Sequence, residues 1–137
     1  MKSLTSLILV ICFSLVSSAA LARTAVLVEP KFEVQASSVE WVENAAIETL
    51  SSYGWVITGK ENHSIAATYT NGAVSASIVV HCADKAVQIE YIDSQKMHYE
   101  EEEGERRIHG NYNRWMGNLE KQIQIYLNKA KYLNKLP

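Results

Sequence analysis

The chain predicts an α+β fold, a two-layer sandwich in which an antiparallel sheet carries two helices on one face, in the order β-α-β-β-β-β-α. Two observations predict it. Between Trp55 and Tyr91 apolar residues alternate with polar ones at period two, most clearly at Val74, Ala76, Ile78, Val80 and Cys82. On either side of that region apolar residues recur at three- and four-residue steps, the spacing of a helix with one buried face. A sheet face and two helical stripes of this kind bury each other.

The first 22 residues read as an export signal. Lys2 gives a positive start, and the run from Leu7 to Val16 is apolar but too short to span a bilayer. Ala20-Leu21-Ala22 fits the small-x-small rule for signal peptidase and places cleavage before Arg23. Lipidation at Cys12 is not expected, because Ile11 stands where a small residue is needed. Residues 23–137 then form one globular domain, long enough to bury a core without metals or disulfides. Cys82 is the second of two cysteines and is left without an intramolecular partner.

Each element has its own signal. Ala25-Val26-Leu27-Val28 before Pro30 reads as a first strand that resumes at Phe32 to Val34. Ser37 and Glu40 have the spacing of a capping box. The helix that follows carries Val39, Val42, Ala46, Leu50 and Tyr53 on its apolar stripe, with Glu43 among the polar residues, and Gly54 stands where a left-handed terminator is needed. Asn71-Gly72 is the pair favoured in a type I′ hairpin turn, so Ile65, Ala67 and Tyr69 should lie on the strand beside Val74 to Cys82. Ala83-Asp84-Lys85 turns the chain into Val87, Ile89 and Tyr91. The run Glu100, Glu101, Glu102, Glu103 and on to Arg107 reads as a charged loop. A last helix from near Asn111 carries Tyr112, Trp115, Met116, Leu119, Ile123, Tyr126, Leu127 and Ala130 on one stripe, with Lys129, Lys131 and Lys135 complementing its C-terminal dipole.

The alternation leaves one sheet face small and polar, with Ser64, Ala66, Thr68, Ser75, Ser77, His81, Gln88 and Glu90 on it. With 13 basic and 15 acidic residues the chain has no general attraction for nucleic acid, which is not expected as a partner. Once the signal is removed, no further transmembrane segment is expected.

The residues Gly54-Trp55-Val56-Ile57, Ile89-Glu90-Tyr91-Ile92-Asp93-Ser94 and Ile108-His109-Gly110-Asn111-Tyr112-Asn113-Arg114-Trp115 form a familiar order. It resembles a family of small bacterial exported proteins and lipoproteins with a Tyr-x-Asp-Ser strand end and an Ile-His-x-x-Tyr-Asn-x-Trp helix start. The resemblance covers most of residues 23–137 and implies export and this fold, with no activity attached to it. The sequence departs from the lipoproteins in lacking a plausible lipobox.

Two sets of residues are candidates for binding. His109, Tyr112 and Asn113 at the loop-to-helix junction, with Asp93 and Ser94 at the strand end, could hold a small polar ligand or support hydrolysis if the two segments converge. The same junction residues also have structural uses: Asn111 as a helix cap, Tyr112 in the core with its hydroxyl tied down. His81 marks the polar sheet face. Four scattered histidines with no i, i+4 pair give no metal site, and consecutive glutamates lack the spacing and turn glycine of a calcium loop. His81 and Cys82 point to opposite sides of a strand and cannot pair as base and nucleophile. No phosphate loop, dinucleotide fingerprint or serine-hydrolase elbow occurs, so no cofactor is expected. The expected function is that of a non-enzymatic exported envelope protein, periplasmic or secreted, that binds a protein or envelope component.

Overall fold

The computed structural model describes residues 23–133, so the expected signal segment, Cys12 and Lys135 lie outside the described residues. The elements are β1 (Thr24–Val26), β2 (Lys31–Glu33), α1 (Val39–Ser52), β3 (Val56–Glu61), β4 (Ser64–Asn71), β5 (Val74–Cys82), β6 (Ala86–Gln95), β7 (Glu100–Glu102), β8 (Glu105–His109) and α2 (Gly110–Tyr132). All strand pairs are antiparallel. A five-stranded sheet runs β2-β6-β5-β4-β3, and a three-stranded sheet runs β1-β8-β7. The fold is α+β: the helices pack on each other, α1 lies on β3, β4 and β5 of the larger sheet, and α2 meets β1 and β8 of the smaller one. No described helix is long and apolar enough to cross a membrane.

The core follows the two periodicities. Ile65 and Ala67 on β4, Ala76, Ile78 and Val80 on β5, and Val87 and Ile89 on β6 are buried against Val42, Ala46 and Leu50 of α1 and Met116, Leu119 and Ile123 of α2. Trp115 packs edge-on against Tyr69 and Trp55, with ring centres 4.9 and 6.4 Å away. The α1 terminator works as expected: Gly54 has φ +82°, Trp55 N–H reaches the Leu50 carbonyl at 2.9 Å and Gly54 N–H the Ser51 carbonyl at 3.2 Å. Two orphan carbonyls are thereby satisfied, and the tryptophan folds back over the leucine three residues inside the helix end.

Several expectations are corrected. The charged stretch is not a loop. It is a hairpin, β7–β8, whose turn Glu103-Gly104 has φ +51° and +80° and whose second strand pairs with β1. Buried Ile108 anchors β8 in the core, which a composition dominated by glutamate hides. The N-terminal apolar run splits between sheets: β1 ends at Val26, and Val26 and Val28 are half-exposed. The hairpin at Asn71-Gly72 forms, but Asn71 pairs with Val74, so the turn residues are Gly72 and Ala73. Gly72 at the first position with φ +62° is the type II′ arrangement. A two-residue turn with positive φ at both positions sits instead at Asn62-His63, φ +49° and +63°, between β3 and β4, as one does at Glu103-Gly104. No capping box forms. Ser38 is the N-cap and makes no side-chain cap bond, while the incoming segment is held by Val34 and Ala36 N–H groups donating to the Lys85 and Asp84 carbonyls of the β5–β6 turn. Asn111 is not the cap of α2. His109 is, its Nδ1 accepting the Asn111 N–H at 3.1 Å.

Candidate functional site

The outer face of the larger sheet carries a continuous polar row. Register places Lys31, Gln88, His81, Ser64 and Glu61 side by side across β2, β6, β5, β4 and β3. Within it the Ser64 hydroxyl lies 2.9 Å from His81 Nδ1, and His81 Nε2 lies 2.7 Å from the Glu90 carboxylate. The His81 and Glu90 side chains are 43% and 45% exposed. A carboxylate only accepts, so Nε2 must carry the proton that faces Glu90. In the neutral ring Nδ1 is then bare and accepts from Ser64. Further along, the Thr68 and Ser77 hydroxyls meet at 2.8 Å, directly opposed in the β4–β5 ladder. Strand alternation brings these residues to one face, and the turn at Gly72-Ala73, which pairs Asn71 with Val74, sets the β4–β5 register that aligns Ser64 with His81.

Hydroxyl, imidazole and carboxylate in this order have the connectivity of a nucleophile, its base and the group that orients the base. Acyl transfer also needs fixed donors for the developing oxyanion and a cavity that excludes water. The row lies on an open sheet face, and the strand amides beside Ser64 are committed to pairing with β3 and β5. Two clefts lie elsewhere. One of about 400 Å³ sits between α1 and α2, floored by Trp41, Ala45, Tyr126 and Leu133; the other, about 340 Å³, lies among Glu100, Glu102, Glu103, Glu105 and Arg107. The row is an ordered, half-exposed array of hydrogen-bonding groups.

The junction residues separate into three jobs. Asn113 is a clamp: its Oδ1 accepts the Val28 N–H at 3.0 Å and its Nδ2 donates to the Val26 carbonyl at 2.8 Å, taking the place of a neighbouring strand at the edge of residues 26–28. His109 caps α2, and its backbone N–H donates to the Met97 carbonyl at 2.8 Å. With its Nδ1 lone pair occupied by an amide, it does not offer a ligand-binding nitrogen on that side. Tyr112 is fully buried, edge-on to Tyr91 at 5.5 Å, and its hydroxyl has no hydrogen-bond partner. The expectation that this hydroxyl is tied down is thus corrected: the ring is placed by packing, and burial raises the phenol's pKa.

Ser94 shares a 2.7 Å hydroxyl contact with Tyr91, and Asp93 Oδ1 accepts the Ser94 N–H at 2.8 Å. Asp93 pairs in register with Ser77 at the outer face, beside a bulge that leaves Ile92 unpaired on β6 and half-exposed. Ser94 and Tyr112 thus approach the same tyrosine, but no hydrogen bond joins His109 to Asp93 or Ser94.

Two charged groups have no signal in the sequence pattern. Glu29 precedes Pro30 in a segment outside the strands; its carboxylate accepts the Tyr91 N–H at 2.8 Å and pairs with Arg106, ending the larger sheet against the smaller one. Glu43 was expected among solvated positions of α1, yet its side chain is 4% exposed. Lys60 Nζ at 2.9 Å and His63 Nδ1 at 2.6 Å hold it from the β3–β4 hairpin. Burial alone would raise its pKa; the hydrogen bonds from Lys60 and His63 outweigh that and lower it. Cys82, half-buried nearby, has its pKa pushed up to about 12, first by burial and then by the Glu43 charge, so it is a thiol and not a thiolate at neutral pH. Among the described residues no group of three or more His, Cys, Asp or Glu side chains is placed to hold a metal ion.

Comparison with models of known protein families and with curated proteins finds no match to this chain.

Proposed function

We propose that this is a non-enzymatic exported protein of the cell envelope that binds a protein or envelope component through the outer face of its five-stranded sheet. The observation that carries the reading is the Ser64–His81–Glu90 row with the adjoining Thr68–Ser77 pair. Cross-strand hydrogen bonds fix the rotamers of these short side chains before any partner arrives, which reduces the ordering cost of association. Small neighbours such as Ala66, Ser75 and Ala86 let a flat surface approach closely. The charged start, the short apolar run and the Ala20-Leu21-Ala22 pattern of residues 1–22, read as an export signal, together with the resemblance noted above, favour an extracytoplasmic location, periplasmic or secreted. The formal net charge of −2 argues against nucleic acid as the partner.

The test is capture of partners from periplasmic extract on immobilised protein, comparing wild type with a Ser77→Arg/His81→Glu double variant. Loss of the captured species in the variant is expected. Recovery of the same species by the double variant would eliminate the outer face as the binding surface.

A further inference from the structure

The three histidines with ring hydrogen bonds use their nitrogens differently. His63 donates from Nδ1 to Glu43, and His109 accepts at Nδ1 from a backbone amide. His81 alone among them has both ring nitrogens engaged by side chains, one by an acceptor-only carboxylate and one by a hydroxyl that can either donate or accept. Glu90 fixes the first bond in either charge state, because Nε2–H donates to it whether the ring is neutral or charged. The second bond must therefore reverse when the ring gains a proton.

We propose that this row is a proton-operated donor–acceptor switch, in which protonation of His81 turns Ser64 from a hydrogen-bond acceptor into a donor towards whatever meets the outer face. With His81 neutral, the Ser64 proton points inward to Nδ1 and only oxygen lone pairs face outward. When a proton from solvent occupies Nδ1, Nδ1–H donates to the Ser64 oxygen, and the serine O–H rotates away and is offered to a partner. No covalent bond changes, and the net uptake is one proton. The charged groups sharing the face are Glu90 and Asp93 on β6, Lys31 and Glu33 on β2, and Glu61 on β3; β4 contributes none. A partner would therefore meet a different hydrogen-bond pattern on the neutral and on the charged ring. The consequence for binding rests on the outer-face reading above; the switch itself does not.

Long-range ¹H–¹⁵N spectra of the His81 ring, recorded from about pH 5 to about pH 8, read the switch directly. The expected result is a neutral ring protonated at Nε2 alone and a charged ring protonated at both nitrogens. Glu90→Gln should give a mixture of neutral tautomers, since an amide can donate as well as accept. A neutral wild-type ring protonated at Nδ1 would overturn the proposal, because Ser64 would then accept at every pH. For the binding consequence, species captured from periplasmic extract at about pH 5.5 and about pH 7.5 should differ for wild type and coincide for Ser64→Ala. An identical pH dependence in Ser64→Ala would remove the role in recognition. Capture of nothing at either pH would instead defeat the outer-face reading, leaving the ring spectra to decide the switch.

Discussion

His63 and His81 each meet a glutamate across a short bond, 2.6 Å to Glu43 and 2.7 Å to Glu90, but in different surroundings. On the helix-covered side the Glu43 carboxylate is withdrawn from water, and Lys60 and His63 reach over to neutralise it, tying the β3–β4 hairpin to α1. On the outer face both partners are nearly half-exposed. A buried carboxylate stripped of its partners costs several kcal/mol, whereas an exposed pair contributes between nothing and about 1 kcal/mol. The pairing around Glu43 therefore holds the fold together. The row around His81 contributes little to stability, so its residue types are not fixed by the needs of the fold.

The contrast sharpens if substitutions on the helix-covered side destabilise and those on the outer face do not. The largest effect is expected for Trp115→Ala, which empties the space between Trp55 and Tyr69 and should cost about 3 kcal/mol in urea unfolding. Removing the Lys60 amine with Lys60→Met leaves Glu43 with His63 alone and should cost about 2 kcal/mol; an unchanged midpoint would mean that Glu43 is not held as a buried ion. The pH dependence follows from the lowered pKa of Glu43. Its contribution is complete above the ordinary value of 4.5 and is lost as pH falls through the lower folded value, so the stability of wild type should decline more steeply on acidification than that of Glu43→Gln. Tyr112→Phe runs the other way. Deleting a buried hydroxyl with no partner should stabilise the protein by about 1 kcal/mol, detectable as a raised thermal midpoint. The smallest changes belong to the exposed groups: Ser64→Ala on the outer face and Glu102→Ala in the acidic hairpin should each shift stability by no more than about 0.5 kcal/mol.

The parts of this architecture visible in the sequence are those in which each residue reports its own environment. Alternation along β5 and the stripe of α2 are repeated over many residues, so single exceptions do not blur them. What stayed hidden depends on register and on distant partners. Ser64 and Glu90 could be placed on the polar face with His81, but the hydrogen-bonded row exists only because the turns at either end of β5 set one alignment of that strand with β4 and with β6. Glu43 looks like a solvated helix residue until Lys60 and His63 arrive from another element. The hairpin β7–β8 escapes composition altogether, since one buried residue, Ile108, anchors a segment whose other signals are charge. His109 displaces Asn111 as the cap because the helix starts two residues earlier than expected, and the His109 ring nitrogen accepts the N–H of Asn111 itself.

The position of that hairpin has a further consequence. Strand β7 is the outermost strand of the smaller sheet, and its three residues are Glu100, Glu101 and Glu102. An open strand edge is a template for a second chain, and two copies docking edge to edge through β7 would bring carboxylates face to face along the whole contact. At the opposite edge of that sheet, the Asn113 amide already occupies the backbone groups of Val26 and Val28. One margin is thus guarded by repulsion and the other by occupation, so the smaller sheet can remain three strands wide at high local concentration without adding a neighbour's strand to either side.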